Sequence, residues 1–132
     1  MNQLYPSARQ FLATAGMDLS SITIGAALAQ VGYTPNFATD ANLSDLGANV
    51  AATVNLASVG VSGGTLNAAN LVYTALAAGP QVNAIVLYKN TGVAGTSSLI
   101  AYIDTGSGLP FNPNGGDVHI SWDTGPLKIF QL

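Results

Sequence analysis

Residues 82–104, VNAIVLYKNTGVAGTSSLIAYID, decide the fold of this chain. Residues 82–89 and 97–104 are runs of aliphatic and aromatic side chains, and turn-forming residues bound each run. The connection between them, residues 90–96, contains two glycines and has the length of a medium hairpin loop. The stretch therefore predicts two antiparallel β-strands joined by a turn.

Alternation of apolar with small or polar residues predicts further strands on both sides of this hairpin. From Leu19 the period is two, with Ile22, Ile24, Ala26 and Leu28 on one face, which is typical of a half-buried strand. The other predicted strands or extended segments lie at residues 50–57, near residue 66, and at 71–76, 118–122 and 127–132. Residues 33–47 predict an ordered loop with at most one helical turn, and residues 104–117 an exposed connection.

One short helix is predicted at the amino terminus, over residues 5–15. Pro6 opens it, and Gly16 follows as a stop. A parallel sheet needs a crossover helix between its strands, and the chain has no sequence for such helices. The sequence therefore predicts a single domain over residues 1–132, with an arm and helix at 1–16 and a β domain at 17–132. Its fold class is mainly β: an antiparallel β-sandwich or partly closed barrel of about seven strands with one short N-terminal helix.

Charge is unusually scarce, with three Lys or Arg residues, six Asp or Glu residues and a net charge of −3. Charged residues make up 7% of the chain, against roughly 25% in an average soluble domain. Three isolated cations cannot form the basic patch of a nucleic-acid binder. No secretory signal or membrane span is predicted, and the absence of cysteine excludes disulfides and thiolate metal sites. We expect neither nucleic acid nor membrane as a partner.

Residues with catalytic or ligand-binding chemistry are few and scattered. His119 is the one imidazole, and no nucleophile stands in a catalytic motif, so we predict neither an enzyme nor a cofactor. A calcium site at Asp104, Asn112, Asn114 and Asp117 is conceivable, but the spacing matches no calcium loop. Aromatic side chains can stack on sugars, which makes Tyr102 and Trp122 candidate glycan contacts, although strand aromatics are more often core residues.

The shortage of charge instead favours a surface that is covered by other proteins. Burying an unpaired charge costs several kcal/mol, whereas Ala, Asn, Ser and Thr are covered at much lower cost. We therefore expect a symmetric homo-oligomer that is attached to a larger assembly.

Nearly the whole chain resembles a family of small structural proteins of tailed bacteriophages, and the carboxy-terminal third is the more specific part. The matching segments are residues 5–12, 19–27, 32–34, 98–106, 108–110, 112–117, 121–123 and 129–132. The carboxy-terminal third includes SLIAYIDTG at 98–106 and NPNGGD at 112–117. Residues 57–81 match least well.

The resemblance implies a virion component, a capsid decoration or cement protein, of a kind that is often β-rich and commonly trimeric. Its expected partners are the major capsid protein and other virion proteins, and its expected location is the virion, assembled in the host bacterial cytoplasm. Candidate partner contacts are Tyr5, Pro6 and Arg9 in the amino-terminal arm, and Leu109, Phe111 and Asn112 in the loop at 106–116. Two alternatives stay open: a tail or adaptor component, and a glycan-binding module on a spike or fibre.

Overall fold

The computed structural model describes residues 3–14, 16–104, 109–122 and 130–131. These residues form one α-helix, two short 3-10 helices, at Leu43–Leu46 and Ala94–Thr96, and ten β-strands. In chain order the main elements are β1 (Gln3–Leu4), α1 (Pro6–Ala13), β2 (Ile24–Gln30), β3 (Val50–Asn55), β4 (Gly60–Ser62), β5 (Thr65–Asn67), β6 (Leu71–Tyr73), β7 (Val82–Lys89), β8 (Leu99–Ile103), β9 (Val118–Ile120) and β10 (Phe130–Gln131).

The predicted hairpin is confirmed and lies in the middle of the main sheet. β7 and β8 pair antiparallel, with Val86 opposite Tyr102 and Leu87 opposite Ala101. The whole sheet has five strands in the order β1-β8-β7-β2-β3. Nearly every residue of β7 and all of β8 are buried, as expected for strands that are covered on both faces.

β2 differs from its prediction as a half-buried strand. It begins at Ile24, and its residues are buried on both faces up to Ala29, since it lies between β7 and β3 in the sheet interior. The second face consists of Gly25, Ala27 and Ala29. The Tyr88 ring occupies the space that a Cβ at Gly25 would need, so only glycine fits there. Small residues that resemble an exposed face in sequence instead make room for large neighbours.

Two smaller sheets pack with the main one: a three-stranded sheet in the order β10-β5-β4 and a two-stranded sheet of β6 and β9. The Tyr73 hydroxyl on β6 donates a hydrogen bond to the Ala26 carbonyl at 2.7 Å, which ties the two-stranded sheet to β2. The described strands form a sandwich-like arrangement and no closed barrel. The predicted fold class is confirmed, but the strands outnumber the seven expected because several have only two or three residues.

The amino-terminal helix is confirmed, with slightly different ends. It spans Pro6–Ala13, and proline stands in its first turn, where a missing N–H costs nothing. The Tyr5 N–H donates to the Ile100 carbonyl at 2.9 Å, so the chain enters the helix directly from its pairing with β8. None of the described helices has the length and apolar character that spanning a bilayer requires.

The loop between β2 and β3 contains one short 3-10 helix, which agrees with the expectation of at most one helical turn there. The Asp45 carboxylate accepts the N–H groups of Asn42 and Ala41 at 2.9 and 2.8 Å, which holds the pKa of that carboxyl below its usual range. The Leu43 N–H donates to the Ser97 carbonyl at 2.8 Å, next to the start of β8. The loop is therefore fastened over one end of the main sheet.

The predicted carboxy-terminal strand at 127–132 is described only at residues 130 and 131. These form β10, in which Phe130 is opposite Leu66 and Gln131 opposite Thr65 of β5. The rest of that segment lies outside the described residues.

Candidate functional site

The amino-terminal contact candidates are divided between the core and the surface. Tyr5 is fully buried, which contradicts its prediction as a docking residue. Gln3 and Leu4 pair with β8 rather than forming a free arm, because their backbone groups complete the edge of the main sheet. Pro6 and Arg9 are exposed on α1 and remain available to a partner.

Tyr5 belongs to a buried aromatic cluster with Tyr33, Phe37 and Tyr102. The Tyr5 and Tyr33 hydroxyls are 2.7 Å apart, and the Tyr33 hydroxyl donates to Asp40 Oδ2 at 2.9 Å. The ring of Phe37 is 5.1 Å from that of Tyr5 and 6.2 Å from that of Tyr102, between ring centroids. Burial raises the pKa of the Tyr5 and Tyr33 hydroxyls. This cluster joins the amino terminus and the loop after β2 to the sheet.

The same cluster excludes Tyr102 as a glycan contact, because only 7% of this residue is exposed and its ring packs against Tyr33 and Phe37. Trp122, the second candidate, is half-buried. Its indole N–H donates to the Ala69 carbonyl at 3.0 Å, and its backbone N–H donates to Asn70 Oδ1 at 3.2 Å. Trp122 therefore fastens the end of β9 to the segment before β6, and its indole donor is occupied.

The carboxy-terminal candidates Leu109, Phe111 and Asn112 come together at one site. Phe111 forms an antiparallel bridge with Val82, in which each backbone N–H donates to the other residue's carbonyl at 2.9 Å. Further along the loop, the Gly115 N–H donates to the Leu76 carbonyl at 2.8 Å. Asp117 Oδ1 accepts the Ala75 N–H, also at 2.8 Å. The described part of this predicted exposed loop is thus held at both ends by backbone bonds.

This loop and β9 enclose a cleft of about 300 Å³. Its lining has apolar side chains and four polar ones: Leu109, Phe111, Pro113, Val118 and Ile120, with Asn112, Asn114, Asp117 and His119. Asn112 and His119 are exposed, and neither side chain makes a hydrogen bond within the described structure. The sequence placed Asn112 and Phe111 in a contact loop but did not connect them with His119, which reaches the cleft from β9.

The arrangement does not resemble a metal centre or a catalytic site. Three of the residues considered for calcium, Asn112, Asn114 and Asp117, line the cleft, whereas Asp104 is not among its lining residues. In the described ranges, no three His or acidic side chains come together to hold a metal ion. His119 and Asp117 share the cleft with no Ser or Thr hydroxyl among the lining residues that the structure describes. The cleft is lined by hydrogen-bond donors and acceptors together with apolar side chains.

A second feature is a long stretch of chain without charge, and we call its exposed residues the uncharged surface. No charged residue lies between Asp45 and Lys89, so β3, β4, β5, β6 and their connections carry none. The exposed residues of this stretch are Gly47, Ala48, Thr53, Asn55, Ala57, Ser58, Gly60, Val61, Ser62, Gly63, Asn67, Ala69, Asn70, Val72, Thr74, Ala75, Ala77, Ala78, Gly79 and Pro80. These elements are neighbours, since β6 lies beside β3 and the Ala69 N–H donates to the Ala57 carbonyl at 2.8 Å.

Comparison of the chain with protein-family models and with curated proteins found no match. The resemblance to phage structural proteins therefore remains a prediction from the residues quoted above.

Proposed function

We propose that this chain is a structural protein of a bacteriophage virion, a capsid decoration or cement protein that binds the shell and stabilises it. The observation that carries the proposal is the uncharged surface, which extends over the neighbouring elements β3 to β6. The resemblance of the chain to phage structural proteins supports the same conclusion from independent residues. The protein acts by binding alone and is not an enzyme.

Surfaces that face water and surfaces that face another protein differ in their content of charged residues. A surface that faces water usually carries roughly 25–35% charged residues, which keep the protein soluble. Interface cores are depleted of Lys, Glu and Asp, because a buried charge needs a partner. None of the exposed residues between Asp45 and Lys89 is charged, so a partner can cover them without burying a charge. The partner that we propose is the major capsid protein, together with neighbouring copies of this chain.

Oligomerisation strengthens such attachment. A homo-oligomer, with the trimer as the expected form, presents several copies of the same contact to a symmetric shell. Linked contacts raise the overall affinity above that of any single one, so each contact need only be weak. Copy number distinguishes the shell from the alternative position in a tail or adaptor: hundreds of copies per particle indicate the shell, and a few rings indicate the tail.

Placing a charge on the uncharged surface is expected to weaken binding to capsid shells at least tenfold. Ser62 is exposed on β4, and both Ser62→Lys and Ser62→Asp would carry an unpaired charge into the contact, which costs free energy with either sign. Gln10→Lys and Gln10→Asp are the matched controls, because Gln10 is exposed on α1, outside this surface. Co-sedimentation of each variant with shells that lack the protein measures the affinity.

Comparing the Lys and Asp variants of Ser62 distinguishes burial of this residue in the contact from long-range electrostatic attraction. If the contact buries Ser62, both variants bind more weakly than the wild-type chain, whereas long-range attraction makes one of them bind more tightly. Shells that the wild-type chain neither binds nor protects from heat would refute the proposed function. If both Ser62 variants bind as tightly as the wild-type chain, the uncharged surface is not the contact with the shell.

A further inference from the structure

We propose that the cleft between β9 and the loop at residues 109–117 binds a neutral, hydroxyl-rich ligand, namely a sugar residue of a glycan. This second activity goes beyond attachment to a shell. It also uses different residues, since all those that line the cleft follow Lys89 and lie outside the uncharged surface.

The polar groups of the cleft suit hydroxyl groups. Asn112 and Asn114 carry amides, Asp117 a carboxylate and His119 an imidazole, so donors and acceptors are both present. A sugar hydroxyl both donates and accepts, and can therefore pair with any of these groups. The side chains of Asn112 and His119 make no hydrogen bond in the described structure, so a ligand would not have to displace an existing partner.

The rest of the lining suits the carbon-bound hydrogens of a sugar ring. Phe111, Leu109, Val118 and Ile120 bring one aromatic and three aliphatic side chains to the cleft, and all four are half-buried. Binding sites for small molecules combine such apolar walls with a few placed polar groups. At about 300 Å³ the cleft is at the lower end of their usual size, which fits one sugar unit rather than a long chain.

The charges of the described lining residues disfavour anionic ligands and metal ions. The described residues that line the cleft include no Lys or Arg to hold a phosphate, sulfate or carboxylate, and the carboxylate of Asp117 repels anions. Asp117 and His119 are too few to hold a metal ion without further ligands. We therefore favour a neutral ligand, whose hydroxyl groups form hydrogen bonds with the polar side chains of the cleft.

The cleft is also held in shape before a ligand arrives. The bridge between Phe111 and Val82, the bond from Gly115 to Leu76 and the bond from Ala75 to Asp117 fasten the loop to the strands behind it. Asn114 Oδ1 accepts the Gly116 N–H at 3.0 Å, which orients that side chain within the turn. A preformed site loses less conformational entropy on binding, which raises the affinity for a small ligand.

The experiment uses the isolated full-length chain on an array of neutral, sialylated and sulfated glycans, followed by NMR titration with the glycan that binds best. We expect binding to neutral glycans, with shift changes at the residues of the cleft. Asn112→Ala and His119→Ala should each weaken binding by about fivefold, the effect of one lost hydrogen bond. Asn67→Ala is the matched control, because Asn67 is also exposed but lies on β5.

Each other outcome overturns the inference. No binding to any glycan, binding to sulfated or sialylated glycans only, or equal binding by Asn112→Ala and the wild-type chain would each do so. Circular dichroism of the variants shows whether they fold. Both side chains are exposed and make no hydrogen bond in the described structure, so the variants should remain folded. Because no capsid is present in this experiment, its result is independent of whether the chain decorates a shell.

Discussion

The free energy of unfolding is expected to fall by up to about 4 kcal/mol for each pH unit above pH 10, because three buried tyrosines keep their protons in the folded chain. Tyr5, Tyr33 and Tyr73 are 0%, 6% and 2% exposed. Burial raises the pKa of each hydroxyl above its ordinary value of 10.0, since the charged phenolate loses its hydration there. The adjoining Asp40 carboxylate raises the pKa of Tyr33 further.

The direction of this pH dependence follows from whether the folded or the unfolded chain releases its tyrosine protons first. Below pH 10 both states hold them, so this contribution to stability is fully present. As the pH rises past 10 the unfolded chain ionises while the folded chain does not, and each tyrosine then favours unfolding by about 1.4 kcal/mol per pH unit. Urea titrations at pH 8 to 11, followed by circular dichroism, measure the dependence.

The variant Tyr73→Phe tests whether buried tyrosine hydroxyls cause the loss of stability above pH 10. Tyr73→Phe should lower stability at pH 8 by about 1 kcal/mol, since it loses the bond to the Ala26 carbonyl. Its decline above pH 10 should be shallower than that of the wild-type chain by up to about 1.4 kcal/mol per pH unit, because one titrating group is gone. A stability that stays level to pH 11 would show that these hydroxyls are open to water.

The second large effect is expected from Leu87→Ala, which should lower the free energy of unfolding by about 2–5 kcal/mol. Leu87 lies on β7 in the middle of the main sheet and has no exposed surface. Its partners on the adjacent strands are Ala26 and Ala101. Alanine side chains are too short to move into the space that the leucine leaves, so a cavity persists and its cost is added to the lost burial.

Val93→Ala is the control, because Val93 is 60% exposed in the loop after β7. Removing its two methyl groups should change stability by less than about 0.5 kcal/mol. Chemical denaturation of both variants at neutral pH gives the comparison. Equal effects of the two substitutions would mean that the centre of the main sheet is not the core of this fold.

Sequence patterns predicted the long elements well and the short ones poorly. The β7–β8 hairpin and α1 have runs long enough for periodicity and turn residues to identify them. β1, β4 and β5 have two or three residues each, which is too few to show an alternation. β1 and β5 pair with β8 and β10, which are distant in the chain, and local sequence does not encode that pairing. Among the described strands, β4 pairs only with its neighbour β5, across a two-residue turn.

The candidate site was predicted only in part, for a related reason. Leu109, Phe111 and Asn112 were expected to share a surface loop, and they do line one cleft. Tyr5 and Tyr102 were expected to reach a ligand or partner but pack together with Phe37 in the core. An aromatic residue has the same local pattern in either setting, so only its neighbours in space distinguish the two.

The sequence by itself determined the fold class and the shortage of charge. Both are properties of composition and of local periodicity, which depend on no distant contact. The tertiary structure decided which uncharged residues lie at the surface and which side chains line the cleft. Folding buries the apolar strands of the main sheet and leaves small neutral residues of β3 to β6 at the surface, while His119 reaches a cleft with Asn112. Such groupings come from pairing between distant strands, which maximises apolar burial in the chain as a whole.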